Sequence, residues 1–206
     1  MEEMQALRAL VKGEVFDTQV LMYCLRAYKK PRDKISLLLR NGSILQLKKG
    51  LYAFGPSFRK SGVSLEVVAA MLLQPSYISR EYALSYYGLL PERVVVITSM
   101  TTRKKRLFET PLGCFEYNSL HEKKFGLGVE AREVPGQGGY LFATKEKALA
   151  DWIATVPPIR SVENLLFFLF EESRIDRSSL LPVNQPLLKE ISAVYRNRNV
   201  DLLLKL

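Results

Sequence analysis

Residues 31–54 read PRDKISLLLRNGSILQLKKGLYAF, and this run constrains the fold more than any other. Pro31 suits the first turn of a helix, where its missing N–H leaves no hydrogen bond unmade. Ile35, Leu38 and Leu39 recur at i, i+3 and i+4, so a helix over 31–40 turns one apolar stripe inward. Gly42 supplies a left-handed stop. Residues 43–47 and 51–54 then make two short apolar strands joined by Lys48-Lys49-Gly50, where Gly50 can take a positive φ and close the turn. A helix that runs directly into a cationic hairpin leaves few folds open.

The residues before it narrow the choice further. Residues 3–11 read as a helix that stops at Lys12-Gly13. Asp17 is a good N-cap for a second helix over 18–28, with Val20, Leu21, Cys24 and Leu25 on one stripe. Three helices followed by a β-hairpin predict a winged helix-turn-helix over residues 1–58. The remainder, 59–206, is predicted to form a mixed α+β domain, which makes the fold class α+β.

Charge concentrates in the same place. The chain has 206 residues and a net charge of +9, which suggests an anionic partner. Residues 1–60 hold twelve Lys and Arg against five Asp and Glu, a net +7, while the other 146 residues contribute only +2. The third helix is therefore expected to enter the major groove of double-stranded DNA. Arg40 can read guanine, Ser36 a base edge, and Leu37 a thymine methyl. Lys29, Lys30, Arg32 and Lys34 are expected at phosphates, which set position rather than sequence. Asp33 complements the helix N-terminus. The hairpin tip, Lys48 and Lys49, is expected against the backbone or the minor groove. The alternative use of such a module is protein contact alone, since fold does not fix function.

The rest of the chain reads as short strands between helices. GPSFRKSGVS, 55–64, has linker composition. Ser64 caps an apolar helix over 64–74, Ser79 caps REYALSYYG, and VVVITSMTT, 94–102, reads as a buried strand. RLFET with LGCFEYN, and VEAREV with GYLFAT, read as hairpins. Thr144 caps a helix over 144–154, and helices over 161–172 and 185–196 follow. Arg103, Lys104, Lys105 and Arg106 join two strands as a second basic patch. It either extends a DNA footprint, touches another nucleic acid such as tRNA, or is a solvated turn.

Several classes are set aside. No apolar run reaches the 18 or so residues of a membrane span, and MEEMQALRAL lacks the basic and apolar regions of a secretory signal, so a cytoplasmic protein is expected. Cys24 and Cys114 are expected as free thiols, and two Cys with one His argue against a zinc site. His121 has no nucleophile or orienting acid in its sequence neighbourhood, beyond the adjacent Glu122. PGQGG, 135–139, lacks the following Lys-Ser/Thr of a phosphate-binding loop. Asp151 is either a buried, paired acid or a partner-facing one, and Trp152 is core. No catalytic residue, cofactor or metal is expected, and a nucleic-acid enzyme stands as the reading from another class.

Two longer stretches carry a family resemblance. YISREYALSYYGLLPERVVVITSMTTRKKRLFETPLGCFEY, 77–117, followed by YLFATKEKALADWI, 140–153, resembles the AbiE-type antitoxins, predicted regulators of viral defence. The N-terminal module ending in KKGLYAF resembles the first domain of the same family. The resemblance implies an antitoxin of a type IV toxin–antitoxin pair acting in abortive phage defence. It implies a winged helix that represses the pair's own promoter by binding its repeats. It also implies a C-terminal domain that opposes a nucleotidyltransferase-like toxin without requiring a stable complex. A stand-alone regulator with no toxin to oppose is the alternative.

Overall fold

The computed structural model describes residues 2–180 and 183–206. In the N-terminal part, α1 (Glu2–Leu10), β1 (Val15–Asp17), α2 (Thr18–Cys24), α3 (Pro31–Arg40), β2 (Ile44–Lys48) and β3 (Leu51–Phe54) follow in that order. The strands form an antiparallel sheet in the order β1-β3-β2. Asp17 caps α2 as expected, its carboxylate accepting the Val20 N–H at 2.9 Å. The helix is shorter than predicted. Past Cys24 the Arg26 N–H bonds the Tyr23 carbonyl, a three-residue spacing that tightens and ends the spiral. β1 was not foreseen, because three residues, one buried, carry too little alternation to read. Gly42 and Gly50 take the positive φ values, 71° and 88°, that their places require.

The C-terminal part contains α4 (Leu65–Leu72), β4 (Ser76–Ile78), α5 (Arg80–Tyr86), β5 (Ile97–Thr101), β6 (Arg106–Thr110), β7 (Gly113–Ser119), β8 (Val129–Val134), β9 (Gly138–Ala143) and α6 (Lys145–Ile153). It continues with α7 (Val162–Phe167), which winds into a π turn over Phe168–Glu172, then α8 (Arg177–Leu180), α9 (Gln185–Tyr195) and α10 (Arg198–Leu203). The strands form one six-stranded sheet in the order β6-β7-β5-β4-β9-β8. The β5–β7 and β4–β9 pairs are parallel and the rest antiparallel, so both predicted hairpins form and are joined through β5 and β4. The chain is thus a mixed α+β fold with two sheets. Ser64 and Thr144 cap α4 and α6 by accepting the Val67 and Lys147 N–H groups. Ser79 does not cap α5: its hydroxyl is drawn instead to Asp151, 2.7 Å away.

Two apolar cores result, and the β2–β3 hairpin belongs to both. Met4, Leu7, Phe16, Leu21, Leu25, Leu38, Ile44, Tyr52 and Phe54 form the smaller. Leu47, Leu51 and Ala53 point the other way, into the larger core built around the six-stranded sheet. Strand side chains alternate sides, so β3 is buried along its whole length with Tyr52 and Phe54 on one face and Leu51 and Ala53 on the other. The stretch expected as a linker is laid down firmly after it. Buried Glu14 accepts from the Lys60 N–H, the Ser61 N–H and the Ser61 hydroxyl, and pairs with Arg8 at 2.6 Å.

Gly55 closes the hairpin against the end of α3, its N–H donating to the Ser43 carbonyl at 2.8 Å. Its φ is an ordinary −65°, so glycine is needed for space alone: a Cβ there would stand 1.8 Å from the Gly42 carbonyl oxygen. Gly55→Ala is expected to lower unfolding free energy by about 1–3 kcal/mol. Urea denaturation reads this directly, and a wild-type midpoint would contradict the close approach.

Candidate nucleic-acid interface

α3 buries Leu38 and half-buries Ile35 and Leu39 against the smaller core. The opposite stripe, Arg32, Asp33, Ser36, Leu37 and Arg40, is exposed. Leu37 is 46% exposed. The Ser36 hydroxyl donates to the Arg32 carbonyl at 3.1 Å, which leaves its oxygen able to accept. Arg40, in the last turn, and Asp33, in the first, both suit the helix dipole.

The hairpin turn lies beside this helix. Arg32 and Lys49 line one cleft of about 560 Å³ together with Thr18, Met22 and Ile35. The Thr18 N–H bonds the Gly50 carbonyl at 3.0 Å and holds the turn to the start of α2. Thr18 and Met22 were not among the residues singled out in the sequence. The one signal available was the Asp17 cap, which places Thr18 at a helix start next to whatever the turn approaches.

The expected cations divide into free and engaged ones. Lys29 and Lys30 are exposed in the link between α2 and α3. Lys34 is turned toward α1, where it pairs with Glu3 at 2.7 Å and lies 5.2 Å over the Tyr28 ring. That hydrogen bond holds the Glu3 carboxyl down to about 2. Lys48 is directed into the molecule: its ammonium donates to the Met71 carbonyl at 3.2 Å and the Leu72 carbonyl at 2.7 Å. These are orphan acceptors at the C-terminal end of α4, where a cation also meets the negative end of the helix dipole. Burial, and then the charge of nearby Arg106, lower the Lys48 pKa from its usual value.

The second basic patch proves to be a neighbour of the hairpin. Arg103, Lys104 and Lys105 in the β5–β6 link and Arg106 at the start of β6 are all exposed, and β6 lies against β2. The Arg103 Nε–H bonds the Gln74 carbonyl, Lys105 pairs with Glu116 at 3.0 Å, and the Arg106 guanidinium sits 5.5 Å over the Phe108 ring. These contacts are made by the charged groups themselves, and all four side chains nonetheless stay exposed.

The remaining sequence candidates are structural in their surroundings. The His121 Nδ1 accepts the Lys123 N–H at 3.2 Å and caps a short turn. Cys24 and Cys114 are both free and half-buried. Among the described residues no three His, Cys, Asp or Glu side chains gather as metal ligands would, and no helix is long and apolar enough to cross a membrane. Trp152 is half-buried against Phe168, with ring centres 5.3 Å apart. Asp151 is fully buried. It accepts from Tyr77 at 2.9 Å, from Ser79 at 2.7 Å and from Tyr195, and it faces the buried Lys147 ammonium at 3.6 Å. Lys147 also donates to Tyr195 at 2.6 Å and to the Lys124 carbonyl at 2.5 Å. Burial pushes the Tyr77 and Tyr195 hydroxyls up, with the Asp151 charge adding to it, and pushes Lys147 down.

No protein-family model matches the chain, and a search of curated proteins also returns no match.

The Lys147–Asp151 pair ties α6 to α9 and β4 inside the larger core. Removing one member leaves the other charge buried and uncompensated. Asp151→Ala and Lys147→Ala are each expected to lose about 3–5 kcal/mol of unfolding free energy. The double variant Lys147→Met/Asp151→Leu should recover part of that loss, short of wild type because three hydroxyls lose their acceptor. Single losses below about 1 kcal/mol in urea denaturation would refute the pair's role.

Proposed function

We propose that this chain is a cytoplasmic DNA-binding autorepressor and antitoxin of the AbiE type, with a winged helix-turn-helix over 1–58 and an antitoxin domain over 59–206. The element order α1-β1-α2-α3-β2-β3, closed by an antiparallel hairpin, supports the winged-helix reading. One observation carries the DNA assignment: α3 exposes Arg32, Ser36, Leu37 and Arg40 on one stripe, and Arg32 of that stripe shares a cleft with the exposed Lys49 of the hairpin turn. In this reading Arg40 contacts a guanine and Ser36 and Leu37 contact neighbouring base edges. Arg32, Lys29, Lys30 and Lys49 meet phosphates. Lys34 and Lys48 are left out of the contact set, since their ammonium groups are held by Glu3 and by the end of α4.

The loop 103–106 extends the footprint, because it projects next to the hairpin and carries four adjacent positive charges. The antitoxin part of the reading rests on the stretches 77–117 and 140–153 and their resemblance to that family. Asp151 and Lys147 of the second stretch have the burial and pairing of a scaffold, so toxin opposition falls to exposed surfaces. The reading requires a neighbouring gene for a nucleotidyltransferase-like toxin, and a regulator without such a neighbour is the alternative.

Duplex DNA from upstream of the chain's own coding region is expected to bind with log Kd linear in log salt and a slope near 5 in magnitude, for about six neutralised phosphates. Lys49→Ala should weaken binding evenly across sequences and reduce that slope by about 1. Arg40→Ala should cost about 1–3 kcal/mol and relax preference at one base pair. Alanine at all four of residues 103–106 should also flatten the slope. Salt-independent binding, or loss of Arg40 without change in sequence preference, would overturn the assignment.

A further inference from the structure

An open groove of about 620 Å³ lies on the C-terminal part, between the end of α4, the start of β4 and the β8–β9 hairpin. Its walls are apolar, from Ala70, Pro75, Ala131 and Leu141, and two arginines, Arg103 and Arg132, stand on it. This is the size and composition of a small-ligand site: apolar lining with a few placed polar groups.

Both guanidinium groups are held in position rather than left mobile. Arg103 uses its Nε–H on the Gln74 carbonyl, which anchors the fork over the groove and leaves its terminal nitrogens. Arg132 lies 4.1 Å over the Phe142 ring and donates to the Tyr87 hydroxyl at 3.0 Å, with the exposed Glu130 carboxylate 3.5 Å away. A planar fork pre-set in this way loses little freedom on binding a phosphate.

Behind the groove runs a crevice too narrow to hold a water molecule, sharing Ala70, Ser76, Tyr140 and Leu141 with it. Ser99 lines that crevice, is 1% exposed, and its hydroxyl has no hydrogen-bond partner. An orphan hydroxyl that water cannot reach is a standing penalty, relieved when a ligand group opens the crevice and meets it. Glu66 and Tyr140 line the same crevice: the Glu66 oxygens accept from the Tyr82 and Ser64 hydroxyls at 2.6 and 2.7 Å and keep further lone pairs, and Tyr140 adds an aromatic ring. Charge therefore runs from positive at the mouth to acceptor-rich inside, the complement of a molecule with a phosphate at one end and N–H or O–H groups at the other.

We propose that this groove binds a nucleoside monophosphate or a close analogue, with phosphate on Arg103 and Arg132 and base or sugar hydrogen-bonding toward Ser99 and Glu66. Arg103 also belongs to the loop that adjoins the hairpin, so one guanidinium serves both a groove phosphate and a DNA phosphate. Ligand in the groove withdraws it from DNA and weakens the repressor. This second half rests on the DNA-binding reading above, whereas the first half does not.

Calorimetry of the full chain without DNA tests the site, using AMP, GMP, CMP and UMP, with adenosine and inorganic phosphate as controls. At least one nucleotide is expected to bind with Kd below 1 mM (order of magnitude from the affinity of small ligands), and both controls at least tenfold more weakly. Arg103→Glu should weaken nucleotide binding at least tenfold, Arg103→Lys should retain most of it, and Ala70→Trp, which fills the groove, should abolish it. No binding by any of the four nucleotides, or binding that all three variants leave unchanged, overturns the site. With DNA present, the bound nucleotide should raise the DNA Kd at least threefold, and Arg103→Ala should remove that sensitivity. Nucleotide binding without any change in DNA Kd overturns the regulatory half, and absent DNA binding would be seen independently of the calorimetry.

Discussion

The structure depends on one strand being buried on both faces. Tyr52 and Phe54 of β3 complete the helical core, and Leu51 and Ala53 of the same strand enter the core of the larger sheet. The hairpin is therefore the joint between the two parts as well as a piece of the first. Lys48 fastens it by donating two hydrogen bonds to the end of α4, and Glu14 fastens the chain that leaves it by accepting three. Charge-assisted bonds of this kind are stronger than neutral ones. A hairpin fastened on both sides in this way leaves Lys49, at its tip, exposed.

That joint decides which positive charges can act. Net charge is a property of composition, but recognition needs charges that stand exposed. Lys34 and Lys48 lie within the basic third of the chain and are both used internally. Arg103 to Arg106 lie far from it in sequence, yet the contact of β6 with β2 brings them alongside. The basic surface supported by the geometry is thus assembled from both parts of the molecule, although most of its charge is encoded in the first.

Much of this was legible in the residues. Pro31, the Ile35/Leu38/Leu39 stripe, Gly42 and Gly50 gave α3 and the hairpin their bounds within a residue or two, because each acts through local geometry. Both later hairpins and α6 were legible for the same reason. What could not be read was pairing at a distance. β1 is three residues long, and β4 is a strand because it lies between β5 and β9, not because of its own pattern. Ser79 looks like a helix cap in sequence and becomes a ligand of a buried acid, since Asp151 lies 72 positions away and within 2.7 Å. The fate of Lys48 was hidden likewise, as its acceptors are carbonyls on another element.

The central claim is that α3, the hairpin tip and the 103–106 loop form one duplex-facing surface. Amide chemical-shift mapping of the isotopically labelled chain, titrated with a short DNA duplex, tests it most directly. The account predicts shifts concentrated at residues 29–40, 49–50 and 103–106, and quiet amides over 158–172 on α7 and its flanks. Shifts confined to the C-terminal part, or none at all at low salt, would contradict it.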